Sequence, residues 1–240
     1  MIETSFYNIV VPILGLAPVF SLSIICLILK YGQLCPGQHS RIQGELITIW
    51  TVLFVSIMMA VETKLPLFVL IVGVIGGVYG MLLSIWQGKL PNKRAIPDAA
   101  IYGALFPLGL YAIGVLYYQQ SLFIVLPTIV TGSVLAQLLL VKAKHRLEAF
   151  NRLLPVIGVV VSVISLGILA YLLVSQPDMT ILETILNNLY WFFGFLIIGL
   201  TLWLLPLFSN NPQSYTLLGV ATFLILISQI LLYEVVVIIS

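Results

Sequence analysis

Apolar residues run along this chain in long unbroken stretches, and polar positions gather in the short breaks between them. The stretches fall at roughly 8–29, 46–61, 66–86, 99–117, 121–141, 153–175, 186–208 and 215–239. None shows the period-two alternation of a half-buried strand, and most approach the ~20 residues that cross a hydrocarbon core as a helix. Lipid admits only helices or closed barrels, because no water is present to satisfy free backbone groups. The pattern therefore predicts an all-α integral membrane protein, an eight-helix bundle forming one polytopic domain over residues 1–240. Glu45 and Glu62 fence the second stretch and leave it short, so its ends are expected to snorkel or to sit where the protein is thin. The breaks at Tyr118-Gln119-Gln120 and Ser209-Asn210-Asn211-Pro212-Gln213 are tight and uncharged, which predicts antiparallel hairpins on either side of each.

Composition agrees with this reading. Of 240 residues, 61% are hydrophobic and 8% charged, against about 25% charged in a soluble domain. A water-soluble globule of this size has no place to put so much apolar surface. The chain opens on Met-Ile-Glu-Thr, with its first cation, Lys30, after the first apolar run. That is the reverse of a signal peptide, so the first helix is expected to stay in the mature protein.

Charge placement adds an orientation. Lys30, Arg41, Lys89, Lys93, Arg94, Lys142, Lys144, Arg146 and Arg152 all lie in the first, third and fifth breaks, nine of the ten basic residues. The opposite side keeps only Lys64, with Glu3, Glu62, Asp178 and Glu183. The positive-inside rule then puts the odd-numbered loops in the cytoplasm and both termini outside, N-out and C-out. In a bacterial inner membrane both ends would be periplasmic. Nothing in this distribution points to nucleic acid.

Candidate chemistry is sparse. Cys26 and Cys35 form no redox or metal motif, and their expected place on the reducing side argues against a disulfide. His39 and His145 are both expected in cytoplasmic loops, so the spans offer no axial ligand for a haem. No metal cluster, nucleophile–base pair or phosphate loop can be assembled, and no cofactor is expected to be bound in this chain. Gly73, Gly76, Gly77 and Gly80 make overlapping small-xxx-small pairs that predict close helix packing, with a substrate lining as the sharper reading. Pro107 and Pro127 lie inside spans and predict helix bending, with nearby Thr hydroxyls able to re-satisfy freed carbonyls. Glu234 is the one acid well inside an apolar stretch, near its outer end. Glu62 and Lys64, in the outer loop after the second span, are expected to join it in a polar outer site, with Asn187 and Asn188 as further members. The run from Lys142 to Arg152 reads as a topology determinant beside anionic headgroups, or as a surface for a partner.

The last hundred residues resemble the membrane anchor subunit of dimethyl sulfoxide reductase. The likeness rests on Arg152-Leu-Leu-Pro-Val-Ile-Gly158, on Leu200-Thr-Leu-Trp-Leu-Leu-Pro206, and on Leu224-Ile-Leu-Ile-Ser-Gln-Ile-Leu-Leu-Tyr233 in the same order, with Gly132 and Leu138-Leu-Leu140 in the fifth span. The first half matches in layout alone. The resemblance implies a non-catalytic subunit that tethers an iron–sulfur electron-transfer subunit and a molybdopterin catalytic subunit. It also implies menaquinol as the substrate oxidised near the outer face, at a site for which Glu62, Lys64 and Glu234 are the candidates. Where the family carries an outer-loop histidine, this chain has Glu62-Thr-Lys-Leu-Pro66. A small-solute transporter built around the prolines and glycines of the third to fifth spans is the rival expectation. No internal repeat is visible to support an inverted-repeat carrier.

Overall fold

A computed structural model describes residues 6–91, 94–144, 148–175, 179–208 and 214–239. Its elements are α1 (Phe6–Tyr31), α2 (Pro36–Glu45), α3 (Ile47–Ala60), α4 (Leu67–Lys89), α5 (Asp98–Gln119), α6 (Val125–Lys142), α7 (Glu148–Ser175), α8 (Met179–Phe208) and α9 (Tyr215–Ile239). A short 3-10 turn, Leu122–Ile124, leads into α6. Eight segments are long and apolar enough to cross a membrane, with α2 and α3 together making the second, Pro36–Ala60. The eight-helix membrane bundle expected from the apolar stretches is therefore what forms.

Helix α1 is the central mast. It packs against α6, α3 and α5, and more lightly against α9. Its Val11, Ile13, Leu22, Ile25 and Ile28 are fully buried, as expected of a helix apolar on every side and surrounded by others. By contrast α4, α5, α7 and α8 present large apolar side chains outward, among them Phe68, Ile75, Phe106, Val163 and Ile197. In water such surface would be a liability; in lipid it is the contact with acyl chains. Several exposed aromatics lie near helix ends, with Tyr31, Trp86 and Tyr215 at one end of the bundle and Tyr117 and Tyr171 at the other. Rings with one polar edge favour the two headgroup layers.

Three sequence expectations need adjusting. The second span is not short: α2 precedes α3 across a break at Leu46, and its polar turns rest on protein rather than lipid, with Ile42 and Gln43 buried. Glu45 at that break is paired with Lys142, Nζ to Oε2 2.7 Å. The Tyr118–Gln120 break does form a tight turn, ended by Gln120 in the left-handed region at φ 51 with its N–H on the Leu116 carbonyl. Yet α5 and α6 do not pack as a hairpin. Both lean on α1 and splay around it, whereas α8 and α9 are the most closely packed pair in the bundle. The turn at 209–213, the expected hairpin joining that pair, lies outside the described residues, as do Glu3, Lys93, His145, Arg146 and Asp178. The place of Pro127 is adjusted only in detail: it lies within the fifth span, Leu122–Lys142, but in the first turn of α6, directly after the 3-10 turn. Pro107 is a true interior proline of α5.

The glycine stripe of α4 packs as expected. A Cβ at Gly80 would fall within the Trp50 ring, one at Gly77 would meet Phe54, one at Gly73 would meet Tyr111, and one at Gly76 would meet Leu108. The stripe lets α3 and α5 close on α4 from two sides.

Candidate functional site

Two hydrogen-bonded groups of polar side chains stand out, one toward each end of the bundle. The first lies on the end where the first, third and fifth breaks meet, the basic face. Gln43 of α2 is buried, and its amide clasps the peptide of Ile96 in the α4–α5 connection: Nε2 donates to the Ile96 carbonyl at 3.0 Å and Oε1 accepts from Ile96 N–H at 2.8 Å. Gln87 at the end of α4 does the same from the other side. Its Oε1 accepts from Ile96 N–H at 3.1 Å, and its Nε2 donates to Ser40 Oγ and to the Arg94 carbonyl, each at 3.0 Å. The Asp98 carboxylate, first residue of α5, accepts from Gln43 Nε2 at 3.2 Å and lies 3.1 Å from His39 Nε2. An acid at a helix start is favourably placed against the helix dipole. Two glutamines thus replace the backbone partners that a connecting segment without regular structure lacks.

Beside this lattice is an open cleft of about 670 Å³, bounded by Ser40, Arg41, Glu45, Ser84, Lys142 and Lys144 among others. Its wall is polar and net cationic. The sequence signal for the cleft was the charge bias alone. Gln43, Gln87 and Asp98 were not singled out, because residues so far apart along the chain converge only once the helix ends are in register. His39, expected in a loop, lies on α2.

The second polar level lies on the opposite face. Tyr233 of α9 donates its hydroxyl to Gln119 Oε1 at 3.1 Å, and Gln119 Nε2 reaches the Asn8 carbonyl at 3.5 Å. Below it, the splayed α1, α5 and α6 leave an apolar recess of about 180 Å³ lined by Leu16, Phe20, Ala112, Leu116, Thr128 and Ile129. Thr128 donates to its own helix, to the Ile124 carbonyl at 2.9 Å, so it offers little polarity to the recess.

The three residues expected to form the outer site are only partly gathered. Glu62 and Lys64 are exposed in the α3–α4 turn, and Glu234 is half-buried beside Tyr233. Helices α3 and α4 pack on α1, on α5 and on each other, while α9 packs on α8 and α6 and touches α1 and α7. Glu62 and Lys64 therefore stand across α1 from Glu234, and among the described residues no side-chain hydrogen bond or ion pair joins them. Asn187 and Asn188 lie in the third turn of α8, because that helix begins at Met179 rather than near residue 186. Among the described residues, no three His, Cys, Asp or Glu side chains come together as a metal site would need.

Between the two levels the interior is largely apolar, with Ser21, Ser133, Ser162 and Ser228 buried there as well. Tyr111 and Phe192 are buried at this depth, and Trp50 and Trp203 nearer the basic end, each essentially without exposure. Trp203 Nε1 donates to Gln137 Oε1 at 2.7 Å, linking α8 to α6. Gly158 of α7 leaves space for the Trp203 ring, onto which a Cβ there would fall.

A family model described as an integral membrane domain matches residues 2–233. The chain belongs to that family. No curated protein and no solved structure matches it.

Proposed function

We propose that this protein is the membrane anchor of a bacterial redox complex resembling dimethyl sulfoxide reductase, holding an iron–sulfur subunit and a molybdopterin catalytic subunit at the inner membrane. The observation that carries the reading is the central helix α1, buried among α3, α5, α6 and α9. A mast helix packed on several sides, with aromatic side chains filling the middle, is suited to hold a fixed shape under a docked partner. A solute carrier needs a polar site near the midplane, and here the buried polar groups at mid-depth are chiefly single serine hydroxyls, while the charged side chains lie toward the two ends. The basic face is taken as cytoplasmic, with both termini periplasmic, because cations resist translocation.

In this reading menaquinol is oxidised at the opposite face. The Gln119–Tyr233 pair would hydrogen-bond the quinol head, the recess between α1, α5 and α6 would take its apolar part, and Glu234 would accept protons. The electrons would leave to the clusters of the iron–sulfur partner. Glu62 and Lys64, across α1, would belong to the surface facing that partner. The test is purification of the tagged chain in a gentle detergent. Co-purification of an iron–sulfur protein and a molybdenum protein in fixed proportion is expected. Recovery of a folded chain with neither, from cells that express its neighbours, would contradict the reading.

A further inference from the structure

We propose that the cleft on the basic face is a binding site for a phosphate-bearing anion, with an acidic phospholipid headgroup as its natural source. Three features carry the inference. The first is an uncompensated charge: the wall holds Arg41, Lys142 and Lys144 against one acid, Glu45, and that acid is already engaged by Lys142 at 2.7 Å. Arg41 and Lys144 are left without a carboxylate partner among the described residues.

The second is a pair of serine hydroxyls with protons to give. Ser84 Oγ accepts from Trp50 Nε1 at 3.1 Å, and Ser40 Oγ accepts from Gln87 Nε2 at 3.0 Å. Neither serine donates to any acceptor among the described residues, although serine and threonine elsewhere in the bundle commonly donate to a carbonyl of their own helix, as Ser23 and Thr51 do. A hydroxyl that accepts from the protein and keeps its own O–H free suits an anionic oxygen.

The third is rigidity and room. Gln87, which holds Ser40, is itself fixed by Ile96 N–H and the Arg94 carbonyl, so that part of the wall is built before any ligand arrives. The volume of about 670 Å³ takes a headgroup rather than a lone ion. Its position at the helix ends, between α2, α4 and α6, is the depth at which headgroup phosphates lie and basic pockets between membrane helices recruit them.

Gly44 and Gly88 allow a test that leaves charge untouched. Both line the cleft, and a Cβ on either meets nothing within 4 Å, so Gly88→Trp and Gly44→Leu add bulk at the cleft with no clash at the Cβ. The full-length chain in neutral detergent would be titrated with phosphatidylglycerol, with phosphatidylcholine, and with glycerol 3-phosphate alone, counting bound lipid by native mass spectrometry and following the soluble compound by calorimetry. Phosphatidylglycerol is expected to bind in clear preference to phosphatidylcholine. Replacing Arg41 and Lys144 by Gln is expected to weaken it about fivefold for each cation removed. Gly88→Trp, or Gly44→Leu should the first not fold, is expected to lose comparable affinity with every cation still present. Binding of glycerol 3-phosphate without the lipid would uphold the site and move its source to a soluble phosphate ester. Absence of binding by any of the three, or filled variants that bind like the wild type, would overturn the proposal.

Discussion

Gln43 holds Ile96 by both of its backbone polar groups, donating to its carbonyl at 3.0 Å and accepting from its N–H at 2.8 Å across 53 residues of chain. This clasp ties α2 to the α4–α5 connection and sets the height of the second span relative to the fourth. Replacing Gln43 by Met keeps the volume but strips the Ile96 carbonyl of that donor in a buried place. A buried group left unpaired costs about 1–3 kcal/mol. The lower part of that range is expected, because Ile96 N–H keeps Gln87. Thermal unfolding of the detergent-solubilised protein checks it, and an unchanged midpoint would contradict the clasp.

The close approach of α3 and α4 depends on Gly80 facing Trp50. Gly80→Leu forces the indole out of its place and away from Ser84, which it bonds at 3.1 Å. Overpacking of this kind costs about 1–3 kcal/mol. Gly109→Ala, on the neighbouring helix where a Cβ meets nothing, is the control and should leave stability unchanged.

The Trp203–Gln137 hydrogen bond joins α8 to α6 inside the bundle. Interhelical bonds in membranes average about 0.6 kcal/mol and reach about 1.7. Gln137→Leu should therefore destabilise modestly, whereas Trp203→Ala removes a fully buried ring and should cost about 3–5 kcal/mol. Similar losses in the two variants would show that the ring is not filling the interior as described.

How much of this was legible in the chain follows from what each feature depends on. The eight spans were legible because the requirement for a long apolar helix is local. The packing role of Gly73, Gly76, Gly77 and Gly80 was legible for the same reason, as small residues spaced by one turn favour a close helix neighbour, although the spacing alone also allowed a substrate lining. Helix α2 was not, since Pro36-Gly-Gln-His-Ser-Arg reads as a polar loop, and only its pairing of His39 with Gln43 one turn apart hints at a helix. The splaying of α5 and α6 was also hidden. A tight turn such as Tyr118–Gln120 fixes direction at one point, while the wedge that separates the two helices is α1, which ends at Tyr31, far earlier in the chain. The partners of Gln43, Gln87, Gln119 and Tyr233 depend on helix register in the same way.

Quinol chemistry, if Glu234 accepts the protons, gives an asymmetric mutational result. In the purified complex, Glu234→Gln should lower quinol-dependent turnover by about 100-fold, the usual scale for losing a general base. Glu62→Gln and Lys64→Gln together should leave the turnover of the assembled complex within about twofold, since both are exposed and stand across α1. The opposite ranking, with the turn pair essential and Glu234 dispensable, would place the quinol on the α3–α4 side.

The orientation of the bundle underlies both functional proposals, for it decides which face meets the cytosol and which meets the partner subunits. Reporter fusions that are active only in the periplasm or only in the cytosol, placed after Ile239 and within the Glu62–Pro66 turn, measure it directly. Both positions are expected to report the periplasm. A cytosolic signal from the carboxyl end, or opposite signals from the two positions, would contradict eight crossings with the basic face inside.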